Sequence, residues 1–137
     1  MSKLLIDTNI VIDLLSGRKP FCESAEKLFS LADKNKIHLS ISSLTFANTN
    51  YILSKLRSAK EARSILRKFK VLIKIAALND KIIDLALNDD GFNDFEDGLQ
   101  YYTAVESGCE VLITRNLRDF KNAKIPVMTA EEYLVSV

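Results

Sequence analysis

The chain has 137 residues, and its 19 Lys and Arg nearly balance its 18 Asp and Glu, which leaves a formal net charge of +1. Apolar residues make up 47% of the sequence, which excludes a disordered tail and a low-complexity array. A length below about 150 residues predicts a single domain over residues 1–137. The net charge gives no general attraction to nucleic acid or membranes, so any such preference must come from how the charges are distributed.

Predicted strands and helices alternate along the chain. In the first half they are a strand over residues 3–6, a helix over 10–15 ended by Gly17, a helix opened by Pro20, a strand over 37–41, a helix capped by Ser42 or Ser43, and a helix over 59–70. In the second half they are a weakly indicated strand over 71–75, a helix over 82–87, a turn over 88–91, a helix over 94–107, a strand over 110–114, an edge strand over 125–128, and a last helix capped by Thr129. This order predicts an α/β fold, with a parallel sheet covered by helices on both faces.

Two of these elements carry expectations about burial. In the strand over 37–41, His38 alternates with apolar neighbours, so its side chain should point away from the buried face. The helix capped by Ser42 or Ser43 has apolar residues at helical spacing: Leu44, Ala47, Tyr51, Ile52 and Leu56. Asn48 shares the spacing of Leu44 and Ile52, which predicts that it faces the core.

The sequence gives no sign of export or of a membrane span. Asp7 interrupts the N-terminal apolar run, whereas a signal peptide needs an apolar stretch of about 7–15 residues. No segment approaches the roughly 20 apolar residues of a membrane span. Cys22 and Cys109 form no closely spaced pair, which favours reduced thiols and a cytoplasmic protein. The sequence also lacks a His-rich zinc site and a glycine-rich phosphate-binding loop.

Polar and acidic side chains follow the ends of two predicted strands. Asp7-Thr8-Asn9 follows the first strand, and Thr114-Arg115-Asn116, with Asp119 soon after, follows a later one. The helix between them places Asp94 and Asp97 on one face of its first turn. Because parallel strands end at one edge of a sheet, we expect these side chains to converge there. A hard divalent cation such as Mg²⁺ offsets the repulsion between clustered carboxylates and can activate water for phosphodiester hydrolysis.

Each segment also has a simpler explanation as a helix start. Asp7 and Thr8 suit the cap of the following helix, and Asp94 with Asp97 suits a capping box. The segment 116–119 suits an ordinary helix start after a strand. Three independent caps would not need to fall at one edge of one sheet, which favours a shared site.

The ordered set of motifs resembles a PIN domain. Four segments are similar, in order, to the opening of that family, its third motif, its fourth motif and its ending: Leu5–Asp13, Asp97–Ala104, Leu112–Asn116 with Asp119 and Phe120, and Ile125–Thr129 with Glu131. Their order and spacing match over essentially the whole chain, so the set carries the resemblance rather than any one motif.

The resemblance implies a three-layer, Rossmann-like α/β/α fold with a mostly parallel central sheet. It also implies a metal-dependent ribonuclease. Many small bacterial and archaeal PIN domains are VapC-type toxins of toxin–antitoxin pairs, which cut RNA with Mg²⁺ or Mn²⁺ held by acidic residues and commonly form homodimers. For this chain the resemblance therefore implies an RNA substrate, a cognate antitoxin and a homodimer.

Residue by residue, the resemblance makes Asp7 the first-motif acid and Asp97 the third-motif acid. Asn116 occupies the fourth-motif position, which holds Asp or Asn in the family. The implied catalytic residues are Asp7, Asp97, Asn116 and Asp94, and the implied metal ligands are Asp7, Asp97, Asn116 and Asp119. The implied supporting residues are Thr8, Asn48, Glu96 and Thr114.

The second motif departs from the family pattern, because Asn48 stands where the family has a glutamate. An amide oxygen can bind a metal, but it contributes no charge and accepts no proton. The site would then hold a metal less tightly, or rely on Asp94 or Glu96. The simpler alternative is an amide that bonds to nearby backbone. A related subgroup of PIN-like proteins shares the Asp-Phe-Glu-Asp run and this amide, so the departure alone does not predict an inactive site.

Charge is segregated along the chain. Residues 55–74 hold eight Lys or Arg and one Glu, whereas residues 79–97 hold seven Asp or Glu and one Lys. At helical spacing, opposite the apolar residues of the helix over 59–70, lie Lys60, Arg63, Arg67 and Lys70. This basic stripe predicts salt-sensitive contacts with RNA phosphates, and a solvated helix face is the alternative. Arg115 and Arg118 lie beside the predicted metal site and are further candidates for phosphate contacts.

Two functional hypotheses of different classes follow. The first is a divalent-metal endoribonuclease, a hydrolase in which water attacks the phosphodiester. The second is a PIN-like RNA-binding or partner-binding module with little turnover, because Asn48 and Asn116 reduce the number of acids. A phosphatase with an Asp nucleophile is disfavoured, because it needs a second acid where Asn9 stands.

Overall fold

The computed structural model describes residues 2–137, and its centre is a parallel sheet. Its strands are β1 Lys3–Ile6, β2 His38–Ser42, β3 Lys74–Ala76, β4 Val111–Ile113 and β5 Val127–Met128. They lie in the order β3-β2-β1-β4-β5. Within this sheet Leu5 of β1 pairs with Ser40 on one side and with Leu112 on the other. After Lys3 the central strand consists of the buried apolar residues Leu4, Leu5 and Ile6, because helices cover it on both faces.

Helices connect the strands and form the outer layers. They are α1 Thr8–Ser16, α2 Cys22–Asp33, α3 Ser43–Leu56, α4 Ala59–Phe69, α5 Asp80–Leu87, α6 Phe95–Glu106 and α7 Ala130–Ser136. Two 3₁₀ turns, Lys70–Leu72 and Leu117–Phe120, complete the described part. The order and type of the predicted elements are confirmed, although the strand predicted over 71–75 is shorter and later, at Lys74–Ala76, and follows a 3₁₀ turn. None of the helices within residues 2–137 is long and apolar enough to cross a membrane.

The alternation of side chains along the strands builds two apolar layers. Leu4 and Ile6 of β1 pack on one face against residues of α1, α2, α3, α4 and α7. Leu5 packs on the opposite face with Leu112 and residues of α6. The structure thus confirms a three-layer α/β fold. His38 is exposed on β2, as predicted.

The prediction for the buried face of α3 is wrong. Its buried residues are Thr45, Thr49 and Leu53, whereas Tyr51 and Leu56 are 60% and 61% exposed. Thr45 turns inward because its hydroxyl bonds to polar groups of neighbouring elements. The predicted apolar stripe is thereby rotated toward a cavity and toward solvent.

Candidate active site

A cavity of about 500 Å³ opens at the carboxyl ends of the strands. The chain continues from β1 to β2 and β3 on one side and returns to β4 and β5 on the other, so the gap between β1 and β4 is a topological switch point. Helices α1, α3 and α6 contribute residues to the wall. The lining residues are Asp7, Thr8, Asn9, Ile12, Arg18, Leu44, Asn48, Tyr51, Ile52, Glu96, Asp97, Gln100 and Asn116.

Asp7 lies at the base of this cavity and is 8% exposed. Its Oδ1 accepts hydrogen bonds from the backbone N of Thr8 at 2.8 Å and from Nε2 of Gln100 at 3.1 Å. Its Oδ2 accepts from Oγ1 of Thr114 at 2.8 Å and from Nδ2 of Asn9 at 3.4 Å. Burial raises the pKa of Asp7 despite these hydrogen bonds, which favour the ionised form. The carboxylate is therefore held in a fixed orientation by neutral donors.

Asp97 lies in the first turn of α6 on the opposite wall. Its pKa is raised to about 7, first by desolvation and then by the negative charges of Asp119, Asp94, Asp7 and Glu96. Within residues 2–137 no Lys, Arg or His forms an ion pair with Asp97 or Asp7. The cavity thus brings together two acidic side chains that have no ion-pair partner among the described residues.

The structure brings most of the predicted site residues together. Thr8, Asn48, Glu96 and Asn116 line the cavity with Asp7 and Asp97. Thr114 is buried beneath them, where it donates to Asp7 and accepts from the backbone N of Asn116 at 3.0 Å. Asn48 faces this cavity and not the core, which corrects the predicted burial of its side chain.

Two predicted acids lie at the periphery. Asp94 is exposed and caps α6, since its Oδ1 accepts from the backbone N of Glu96 at 3.0 Å. Asp119 is exposed in the 3₁₀ turn after β4, near enough to raise the pKa of both Asp7 and Asp97. Both acids therefore act on the site through charge in this structure.

The carboxylate and amide side chains of the wall offer oxygen atoms, which are the ligands that a hard divalent cation prefers. In the part of the chain that the structure describes, no three His, Cys, Asp or Glu side chains are grouped as metal ligands. Asp119, which the predicted ligand set includes as a third carboxylate, is therefore not grouped with Asp7 and Asp97 as a ligand. Two carboxylates, Asp7 and Asp97, with the amide oxygen of Asn116 still fit Mg²⁺, which typically takes one or two carboxylates and completes its shell with water and phosphate oxygens.

Arg115 has a structural contact that sequence reasoning missed. Its Nε and Nη2 donate to the carboxylate of Asp13 at 2.6 and 3.2 Å, and its guanidinium lies 3.9 Å from the ring centre of Phe21. A phosphate contact by Arg115 would have to compete with this ion pair. Arg118 is exposed, and it has no such contact among the described residues.

The basic stripe lies outside the cavity. Lys60, Arg63 and Arg67 are exposed on α4. They are absent from the cavity wall, to which α3 contributes instead. Any contact with RNA at the stripe would involve nucleotides away from the carboxylates.

Gln100 is the cavity residue that sequence reasoning missed. It is buried, and its Nε2 donates to Asp7 and, at 2.8 Å, to Oγ1 of Thr45. The available signal was its spacing, because Gln100 follows Asp97 by three residues and so lies on the same face of α6.

Comparisons with known proteins agree with this architecture. A sequence profile of the PIN domain matches residues 3–118. Ribonuclease VapC1 of Aquifex aeolicus (strain VF5) is 29% identical over 135 residues, which cover 96% of this chain and 92% of that protein. A chain of a toxin–antitoxin complex from Klebsiella pneumoniae is 28% identical with a TM-score of 0.70, over 93% of this chain and 97% of that one. A chain of DNA-bound VapBC from Salmonella typhimurium has a TM-score of 0.73 at 22% identity, over 95% of this chain and 99% of that one.

Proposed function

The chain belongs to the PIN domain family, and we propose that it is a divalent-metal-dependent endoribonuclease, the toxin of a toxin–antitoxin pair. The observation that carries the proposal is the pair Asp7 and Asp97, which share one cavity and form no ion pair with any of the described residues. A relative named as a ribonuclease and a similar structure named as a toxin–antitoxin complex support it.

Asp7, Asp97 and Asn116 are the residues that would hold Mg²⁺ or Mn²⁺, with Asp119 as a nearby supplementary charge. A bound divalent ion supplies Lewis-acid activation of the phosphate and lowers the pKa of water. Thr114 and Asn9 hold the carboxylate of Asp7 in place by hydrogen bonds to its Oδ2. Fixed groups of this kind avoid reorganisation during the reaction.

The remaining cavity residues bind and orient the substrate. Arg18 is the one Lys or Arg among the lining residues, and it can attract a phosphate of the RNA. Glu96 supplies a further carboxylate on the wall, able to accept a proton released during hydrolysis. The partners that this function implies are an RNA substrate and a cognate antitoxin, with a homodimer as the predicted assembly.

The decisive experiment is cleavage of single-stranded RNA in Mg²⁺ or Mn²⁺ by the wild type and by Asp97→Asn. We expect the variant to lose more than about 100-fold in rate, because changes even in residues that only support a metal site cost about 10–100-fold. EDTA should stop the wild type. Equal rates for the two proteins would refute the assignment of the site. Equal RNA binding by both proteins with no cleavage by either would favour the alternative hypothesis, an RNA-binding module with little turnover, which the amide of Asn48 in place of an acid suggests.

A further inference from the structure

A chain of hydroxyl groups crosses from β2 to the cavity wall. Oγ of Ser42 donates to Oγ1 of Thr45 at 3.2 Å, and Nε2 of Gln100 donates to the same oxygen at 2.8 Å. Oγ1 of Thr45 in turn lies 2.9 Å from Oγ1 of Thr8. Ser42, Thr45 and Gln100 are buried, whereas Thr8 reaches the cavity.

The neighbouring carboxylate fixes the orientation of the Gln100 amide. With Nε2 and Oε1 exchanged, a carbonyl oxygen would lie 3.1 Å from Oδ1 of Asp7, and two acceptors would repel. Oε1 is buried and has no hydrogen-bond partner among residues 2–137. Leaving a buried acceptor without a partner costs free energy. The hydrogen bonds that the Gln100 side chain makes in this structure all come from its Nε2 group.

The direction of the hydroxyl chain follows from its donors. A threonine hydroxyl has two lone pairs and one hydrogen. The lone pairs of Thr45 accept from Ser42 and Gln100, so its hydrogen is directed to Thr8. Thr8 then accepts, and within the described residues its own hydroxyl hydrogen has no acceptor. That hydrogen is available to a ligand in the cavity.

We propose that the Thr8 hydroxyl donates a hydrogen bond to a non-bridging phosphate oxygen of the RNA, and that Thr45 and Gln100 are positioning residues that set its direction. This inference rests on the proposed nuclease function. A phosphate beside the carboxylates of Asp7 and Asp97 requires donors on the surrounding wall, and an oriented hydroxyl supplies one without adding charge.

The test compares single variants and one double variant on one probe, a fluorescent single-stranded RNA of mixed sequence, by cleavage rate and by binding anisotropy. Thr8→Val keeps the shape of the side chain and should lower kcat/KM roughly 10- to 100-fold, the value of a hydrogen bond to a charged group. Thr8→Ser keeps the hydroxyl and should restore most of the rate. Gln100→Glu removes the N–H donors to both Asp7 and Thr45, so it should lower kcat/KM at least as much as Thr8→Val.

A double-mutant comparison of Thr8 and Thr45 distinguishes a positioning role of Thr45 from a merely structural one. Thr45→Val should lower kcat/KM several-fold in the wild type and have no further effect in Thr8→Val, because Thr45 acts through Thr8. Thr49→Val is the matched control on α3, since its buried hydroxyl has no partner in the described chain. This control should cleave RNA at the wild-type rate.

Two results would overturn the inference. One is a Thr8→Val protein that folds, as judged by thermal unfolding, and both binds and cleaves the RNA like the wild type. The other is the same loss from Thr45→Val whether residue 8 is Thr or Val. If the wild type binds the RNA without cutting it, the nuclease proposal alone fails. The same comparison of Thr8 and Thr45 variants then decides the inference on binding affinity.

Discussion

Asp13 and Asp7 lie near opposite ends of α1, and their surroundings differ in one respect. Asp13 is fully buried and meets two guanidinium groups, Arg115 at 2.6 Å and Arg18 at 3.7 Å. Asp7 is almost as buried, yet it accepts hydrogen bonds only from neutral donors, and its negative charge raises the pKa of Asp97. The chain supplies a counter-charge where the carboxylate is structural. The chain supplies no counter-charge to Asp7, where we propose that a divalent cation binds from solution.

The largest effect that we expect comes from the structural pair. Asp13→Ala leaves the mostly buried guanidinium of Arg115 without its partner, and breaking a buried pair in this way should cost about 3 kcal/mol of unfolding free energy. Arg18→Ala is the control, because this longer and more exposed contact should contribute less than about 1 kcal/mol. Urea unfolding measures both variants. A small loss in Asp13→Ala would show that the pair does not stabilise the fold.

The cavity carboxylates should respond to pH in the opposite way from an ion-paired acid. The pKa of Asp97 is raised from 3.8 to about 7, so the folded state holds the proton more tightly than the unfolded chain. Its contribution to stability is therefore present below pH 3.8 and is lost as the pH rises through about 7. Burial raises the pKa of Asp7 as well, and this acts with the same sign.

Thermal unfolding of the wild type and of Asp97→Asn, with EDTA and with Mn²⁺, tests this account. In EDTA the melting temperature of the wild type should fall between about pH 5 and pH 8, and Asp97→Asn should be the more stable protein at the upper end. Mn²⁺ should stabilise the wild type, and more so at the higher pH, since protons compete with the metal. Parallel curves of melting temperature against pH for the two proteins would contradict the account that Asp97 lacks a positively charged partner.

The comparison of Asp13 with Asp7 also shows which features of the structure could be predicted from the sequence. The apolar run Leu4–Ile6 and the left-handed Gly17 after α1 (φ 64°) report local structure, so the elements could be predicted in order. The ion pair of Asp13 with Arg115 joins residues 102 positions apart, and no local pattern indicates it. The buried face of α3 likewise depends on a contact distant in sequence, the hydrogen bond from Gln100 of α6 to Thr45 of α3. Asp7 could be predicted because it follows a strand end, and Asp97 because it shares a first helical turn with Asp94 and resembles a family motif, whereas the neutral hydrogen-bond donors of Asp7 carry no such signal.

The basic stripe on α4 raises the question of whether its positive charges contact the phosphates of RNA. Replacing Lys60, Arg63 and Arg67 together by Gln should weaken binding of single-stranded RNA and reduce the salt slope of log K by about 2, at roughly 0.7 per phosphate contact. A matched control replaces three exposed lysines elsewhere by Gln: Lys27, Lys34 and Lys36. The control should leave the slope unchanged. If the two triple variants behave alike, the stripe is a solvated face.

The smallest effect concerns a buried group whose partner is missing altogether. Thr45 and Thr49 lie one turn apart on α3 and are both fully buried, but only Thr45 has hydrogen-bond partners in the described chain. Thr49→Val should therefore stabilise the protein by about 1 kcal/mol, because an unpaired hydroxyl is replaced by a methyl group of similar size. Thr45→Val should destabilise it by a similar amount, since it leaves the N–H of Gln100 unpaired. Chemical unfolding of the two variants measures this difference, and a loss of stability in Thr49→Val would mean that its hydroxyl has a partner, such as a bound water, that stabilises the fold.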